Sequence, residues 1–296
     1  MDQILGCIVG GAIGDALGGV YENVKAQVDL DEFENWQISD DTQLTIATCE
    51  AIIEAGGEVR PDLIASRFAE WHKFNRVTKI GASTYKALNE LVAGGHWALV
   101  GRKGEHAAGN GAAMRIAPLA FCLDPMKDSD RRTIRDVSRI THHHEEAYAG
   151  ALAVILAIKF VLAGQWDDSG GLMNLVAERL PDTSVRDRLI KIAELDETVS
   201  LSEIAENFGC SGYVVESVPL ALCGASRIRR LGFQAMLIDL ISCSGDTDTI
   251  ASIAGQIAGA TIGRSQLPQG MIDRLPDREL IEDTASDFAK VVKANE

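Results

Sequence analysis

Proline is scarce in this chain, with seven among 296 residues, and no long Ser-, Pro- or Gly-rich stretch or charge block divides it. That leaves no evident linker, so the length, ample for a sizeable core, reads as one domain over residues 1–296. Cys-x-x-Cys spacing is also missing: Cys7, Cys49, Cys122, Cys210, Cys223 and Cys243 are scattered through apolar segments. Such a scatter suits reduced, buried thiols rather than a zinc site or disulfide frame, and it points to the cytoplasm. Positive charge is short, with 28 Lys and Arg against 43 Asp and Glu and a net charge of -15. A protein of that sign does not hold nucleic acid or anionic lipid mainly by electrostatics. Asp2 and Gln3 stand where a signal peptide needs basic residues, and Asp15 breaks the apolar run that follows, so no export is expected. The best membrane candidate, Ala147 to Gly164, is short, rich in alanine and carries Lys159, which predicts a buried core helix and no membrane partner.

Alternating β-type runs are few, and helical periodicity dominates in Leu44 to Ala55, Pro61 to Phe74, Ala147 to Ala163, Leu172 to Leu180 and Ile250 to Ile262. Gly6, Gly10, Gly14 and Gly18 recur every four residues in the first helical run, and Gly255, Gly259 and Gly263 do so near the other end. Glycine weakens an isolated helix by roughly 1 kcal/mol, so such stripes predict faces where another helix backbone comes close, each stripe against the other or against a different helix.

Two acidic motifs each precede an apolar helical run: Ser39-Asp40-Asp41-Thr42 and Asp246-Thr247-Asp248-Thr249. Taken singly, either is a helix N-cap, since Ser, Asp and Thr accept hydrogen bonds from the free N–H groups of a first turn. Each, however, holds two acids where a cap needs one oxygen. Carboxylates crowded together repel unless a cation neutralises them, and hard cations such as Mg²⁺ or Mn²⁺ take such ligands.

Other segments suggest different chemistry. Gly10-Gly11-Ala12-Ile13-Gly14 lacks the spacing and the preceding strand of a dinucleotide-binding turn. Leu201 to Ser217 has the cadence of a helix-turn-helix, but Tyr213 to Ser217 offers almost nothing to read base edges; it is expected to bury its Val and Leu residues and present Tyr213 to a pocket. In Thr141-His142-His143-His144-Glu145-Glu146, His142 and Glu146 would share a helix face, but no second zinc-type ligand pair exists, so a pocket-lining or structural role is expected. In Gly109-Asn110-Gly111-Ala112-Ala113-Met114-Arg115, small residues would let backbone N–H groups approach an anion or a sugar, and a helix beginning there would add its dipole; a tight loop leading into a packed helix is the other reading.

Taken in order, Gly14-Asp15-Ala16-Leu17-Gly18 with Glu22, Ser39 to Thr42, Ala108 to Arg115, Ile140 to His144, Ser211 to Ser217 and Ser244 to Thr249 closely resemble the ADP-ribosylglycohydrolase family. The match runs from about residue 3 to about residue 265. The resemblance implies an all-α fold, a single compact orthogonal bundle with a central cleft for two divalent cations, Mg²⁺ or Mn²⁺. It implies hydrolysis of the bond between ADP-ribose and its acceptor, either an ADP-ribosylated protein or another ADP-ribosylated group. ADP-ribose would be the product, and nucleic acid would enter only as a modified substrate. Ser39, Asp40, Asp41, Asp246, Asp248 and Thr249 match the metal ligands, and Glu22, Asp40 and Asp248 are the candidate catalytic residues. Gly109, Asn110, Gly111, His142 and Tyr213 match substrate-binding positions. A catalytically idle ADP-ribose binder is the alternative, against which every ligand position is filled.

Four departures stand out. Lys79 precedes Ile80-Gly81 where arginine-specific relatives place an acid, which disfavours an arginine acceptor by like-charge repulsion. The segment from Glu22 to Ser39 is short, predicting a reduced flap and a more open site. Glu145 replaces a common proline and Ser244 a common glycine, and neither removes a ligand.

Overall fold

The glycines of the first helix pack directly on those of a helix from the far end of the chain, as a computed structural model describing residues 1–24, 28, 36–166 and 171–295 shows. Among these residues the helices α1 to α4 are Asp2–Gly18, Asp40–Glu54, Pro61–Lys73 and Ala82–Val92. Helices α5 to α8 are Asp128–Arg139, Glu145–Leu162, Leu172–Ala177 and Ser184–Ala193. Helices α9 to α12 follow as Leu201–Phe208, Val214–Ser226, Ile228–Leu231 and Phe233–Ile241, and α13 to α15 as Thr247–Ile262, Gln269–Ile272 and Arg278–Ala294. The extended structure described is confined to β1 (Arg102–Lys103), paired in parallel with β2 (His142–His143), and an isolated bridge between Gly109 and Tyr213. The all-α expectation is met, and the anticipated helical segments fall where periodicity placed them, with Leu172 to Leu180 ending early at Ala177.

The α1–α13 contact is antiparallel and nearly backbone to backbone. A Cβ on Gly10 would lie 2.4 Å from Gly255 O, one on Gly14 2.0 Å from Ala251 O, and one on Gly18 2.3 Å from Thr247 O. The two stripes therefore face each other, and no side chain larger than hydrogen fits at these crossings. Thr247 adds a hydrogen bond from its hydroxyl to Gly18 O (2.8 Å), locking the end of α1 to the start of α13. Behind this pair runs α6, buried without interruption from Ala147 to Ile158. Its Gly150 leaves room for Val214, whose Cγ2 would be 2.2 Å from a Cβ there, so α10 also lies close. Among the described residues no helix is long and apolar enough to cross a membrane.

Candidate active site

Three helix ends meet at one place because of this packing: the last turn of α1, the first turn of α2 and the first turn of α13. Asp15, wholly buried in α1, caps α2 from outside. Its carboxylate accepts hydrogen bonds from Ser39 N (2.9 Å), Ser39 Oγ (2.7 Å), Thr42 N (3.1 Å) and Thr42 Oγ1 (2.5 Å). Ser39 is the N-cap of α2 and accepts from Asp41 N at 3.2 Å, so the single-cap reading of this motif is part of the answer. The capping oxygens come from Ser39 and Asp15, which leaves the carboxylates of Asp40 and Asp41 over. Asp15 belongs to the matched Gly14–Gly18 stretch, but its partners lie 24 and 27 residues away, a distance that no local pattern reports.

The convergence is tight. Ligand oxygens of Asp15, Asp41 and Asp248 lie within 4.8 Å of one another, as do those of Glu22, Asp246 and Asp248, so Asp248 is common to two groups. Asp41 Oδ2 accepts from Thr249 Oγ1 at 3.3 Å, whereas its buried Oδ1 has no partner among the described residues. An unpaired buried carboxylate oxygen is costly, and an oxygen-seeking cation satisfies it. Burial raises Asp15 to about 6, opposed by its Thr42 and Ser39 hydrogen bonds; burial and the Asp246 charge raise Asp248 to about 7. Burial, with Asp15 and Asp248 nearby, raises Asp40 and Asp41 well above the usual carboxylate range, and burial and Asp248 raise Glu22. These residues fit a cation site: acid oxygens, neutral hydroxyls and no competing base among them.

A stability test follows from these shifts. Without cation, carboxyls whose folded pKa exceeds the unfolded value keep the native state better protonated between about pH 4 and pH 7. Native stability is then greatest at the acid end of that window and falls as pH rises through it. In chelator, the melting temperature is expected to drop between pH 5.5 and 7.5, and added Mn²⁺ should raise it more at pH 7.5 than at 5.5. A flat or rising profile in chelator would contradict the crowding of acids.

The cleft holding these acids has a volume of about 510 Å³. Glu22, Asp40, Asp41, Asp246, Asp248, Thr249, Gly109, Asn110, Gly111 and His142 all line it, whereas Ser39 lies behind its wall and Tyr213 stands outside it, 42% exposed. The Gly109 to Arg115 run does not begin an α-helix; Asn110–Ala112 is a single 3₁₀ turn. Its glycines have another reason than anion approach. A Cβ on Gly111 would sit 2.7 Å from His142 Cε1 and one on Gly109 3.1 Å from His142 Nε2, so the imidazole packs flush against both. Asn110 N–H is already bonded to Gly212 O, and Asn110 Nδ2 donates to Asp246 Oδ2 (2.6 Å) and Ser217 Oγ (3.1 Å). Asn110 thus aims an acid of the second motif.

The histidine run ends in three separate jobs. His142 Nδ1 lies 2.8 Å from Thr141 Oγ1, His143 Nε2–H donates to Val100 O, and His144 Nδ1 accepts from Glu146 N as the cap of α6. His142 and Glu146 do not share a helix face, because α6 begins at Glu145; the described acid groups that could hold a metal include no histidine. The helix-turn-helix cadence is real as α9 and α10, but Val214, Val215 and Val218 are buried in the core rather than offered to a groove. A larger hollow of about 690 Å³ is lined by Trp166, Arg227 and Arg230, apart from both acid groups. The anticipated reduced flap falls mostly on residues 25–27 and 29–35, outside the described residues.

A family model described as ADP-ribosylglycohydrolase matches residues 1–296. Mouse ADP-ribosylhydrolase ARH3 is 28% identical, over 91% of this chain and 86% of that protein. The uncharacterised Escherichia coli K12 protein YegU is 31% identical over 88% of each chain. The ADP-ribosyl-[dinitrogen reductase] glycohydrolase of Rhodospirillum rubrum is 24% identical, over 93% of this chain and 90% of that one. A solved chain described as an ADP-ribosylglycohydrolase-related protein complex superposes with a TM-score of 0.69 over 98% of both chains at 23% identity, a likeness of fold.

Proposed function

This chain belongs to the ADP-ribosylglycohydrolase family, and from that premise we propose that it hydrolyses the glycosidic bond between ADP-ribose and an acceptor, releasing ADP-ribose. The observation that carries the metal dependence is the shared position of Asp248 in two acid groups, beside the unpaired Asp41 Oδ1. Asp40, Asp41, Asp246, Asp248 and Thr249 would hold two divalent cations, Mg²⁺ or Mn²⁺; Ser39, also expected among the ligands, is left out of this set because its hydroxyl is engaged by Asp15 and Asp41 N behind the cleft wall. When bound, these neutralise the carboxylates and polarise coordinated oxygens. Asp15 and Ser39 hold the first turn of α2 in place, and Asn110 holds Asp246.

Cleavage of a glycosidic bond builds positive charge at the anomeric carbon. A cleft with six acidic side chains among its lining residues, Glu22, Asp40, Asp41, Glu216, Asp246 and Asp248, favours that charge. Water adds to the anomeric carbon as the bond to the acceptor breaks, and one proton must pass from water to the departing group. Glu22 is the acid suited to handle it: it is more exposed than the Asp pair of α2, and its elevated pKa places it nearer the working range of a general acid or base. Its carboxylate takes the proton of the attacking water, and its protonated form returns one to the leaving atom. The test is release of free ADP-ribose, read by mass spectrometry, from arginine-, serine- and nucleobase-linked substrates with Mg²⁺, Mn²⁺ or chelator. Cleavage of one linkage that chelator abolishes supports the reading; silence across the panel with metal-dependent ADP-ribose binding would favour an idle binder.

The acceptor preference is set, on this reading, by Lys79. It is the one Lys or Arg among the described residues lining the cleft, and its charge acts on both Glu22 and Asp248. Its backbone adopts a left-handed φ of 54°, held by Gln43 of α2, which accepts from Thr78 N (2.8 Å) and donates to Thr78 Oγ1 (2.9 Å). A guanidinium acceptor would meet this ammonium. Lys79→Glu is therefore expected to shift the kcat/KM ratio of arginine-linked over serine-linked substrate upward by about tenfold, roughly 1.4 kcal/mol. An unchanged ratio would remove Lys79 from the acceptor site.

A further inference from the structure

Arg115 is wholly buried and makes no ion pair among the described residues, an unusual state for a guanidinium. Its Nε and Nη1 have no hydrogen-bond partner among the described residues, and its charge lies 4.7 Å over the Phe68 ring. Its hydrogen bonds run from Nη2, to Thr141 Oγ1 at 2.8 Å and Val137 O at 3.3 Å. Thr141 is equally buried, and its hydroxyl lies 2.8 Å from His142 Nδ1.

The direction of the second bond follows from the first. Arginine only donates, so Thr141 Oγ1 accepts from Arg115 and must place its single proton elsewhere. Among the described residues that proton has one acceptor, His142 Nδ1. The opposite arrangement, with Nδ1–H donating to Thr141, would leave a buried hydroxyl proton unsatisfied, which costs about 1–3 kcal/mol. We propose that Arg115, acting through Thr141, fixes His142 as its Nε2–H tautomer and so sets a permanent hydrogen-bond donor on the cleft wall for an acceptor oxygen of bound ADP-ribose. The ligand rests on the proposed function; the tautomer does not.

Two further observations agree. Nε2 is the ring nitrogen facing Gly109, beside the cleft, while Nδ1 faces inward to Thr141. The ring is also neutral at ordinary pH, because burial, then the Arg115 and Arg102 charges and His143, hold it down to about 3. A neutral imidazole has one donor and one acceptor nitrogen, so something must choose between them. Arg115 is thus a positioning residue, two hydrogen bonds from His142 and three from the ligand.

Long-range ¹H–¹⁵N correlation on the full chain labelled at histidine nitrogens reads the tautomer directly, with His142→Gln identifying the signals. The expected result is a protonated Nε2 and a bare Nδ1 for His142; a protonated Nδ1 overturns the proposal without any variant. Thr141→Val should lose the single tautomer and weaken ADP-ribose binding about tenfold, and Thr141→Ser should restore both. A Thr141→Val protein with the pure Nε2–H form and unchanged affinity would also overturn it. If ADP-ribose binds none of these proteins while the wild type shows Nε2–H, the relay stands and the proposed function falls.

Discussion

Asp248→Asn is expected to lower ADP-ribose release by about a thousandfold while leaving the helical fold intact. The substitution keeps shape and removes charge at the one side chain common to both acid groups. If a bound cation contributes several kcal/mol to the chemical step, losing about 4 kcal/mol corresponds to roughly three decades in rate. The same substitution relieves repulsion with Asp246 and Asp41, both of which face Asp248 electrostatically. The variant should therefore melt no lower than wild type in chelator and gain less from added Mn²⁺. Turnover at saturating and limiting metal, with metal content by elemental mass spectrometry, decides it. Normal activity at low metal would sink the assignment of Asp248.

Gly259→Ala should destabilise the protein by roughly 3 kcal/mol or more, despite the gain of up to about 1 kcal/mol that alanine brings to a helix interior. A methyl there would lie 1.9 Å from Gly6 O, in backbone that cannot yield without separating α1 from α13. Because Asp15 and Asp248 sit on those two helices, activity should fall with stability. Gly270→Ala is the control: no described residue lies within 4 Å of the added carbon, and its effect should stay within about 0.5 kcal/mol. Urea unfolding of both variants compares them, and equal midpoints would show that the helix crossing can open without penalty.

How legible the molecule is from its sequence depends on the range of each interaction. The glycine stripes announce close approach because about every turn repeats the same anomaly, and the structure pairs them with each other. The acidic motifs are legible because two carboxylates exceed what a cap requires. Asp15 carries no such excess; a lone acid in an apolar helix gains meaning only once Ser39 and Thr42 are beside it. The role of Gly109 and Gly111 is legible as to residue type but not as to cause, since the neighbour that demands glycine is His142, more than thirty residues on. Arg115 offers a faint signal, a cation inside an alanine-rich run, whose meaning depends on Thr141 and Phe68.

The α1–α13 pairing also has a consequence for biosynthesis. Gly18 waits for a hydroxyl 229 residues further along. At typical synthesis rates that is roughly 10–45 s during which a helix buried from Gly6 to Gly18 in the folded protein lacks the α13 backbone against which its glycines pack. Until Thr247 to Ile262 leave the ribosome, the glycine face of α1 stays uncovered. Truncations ending before residue 247 should accordingly expose it, and the two halves of the acid site are withheld from each other until residues 246–249 have been made.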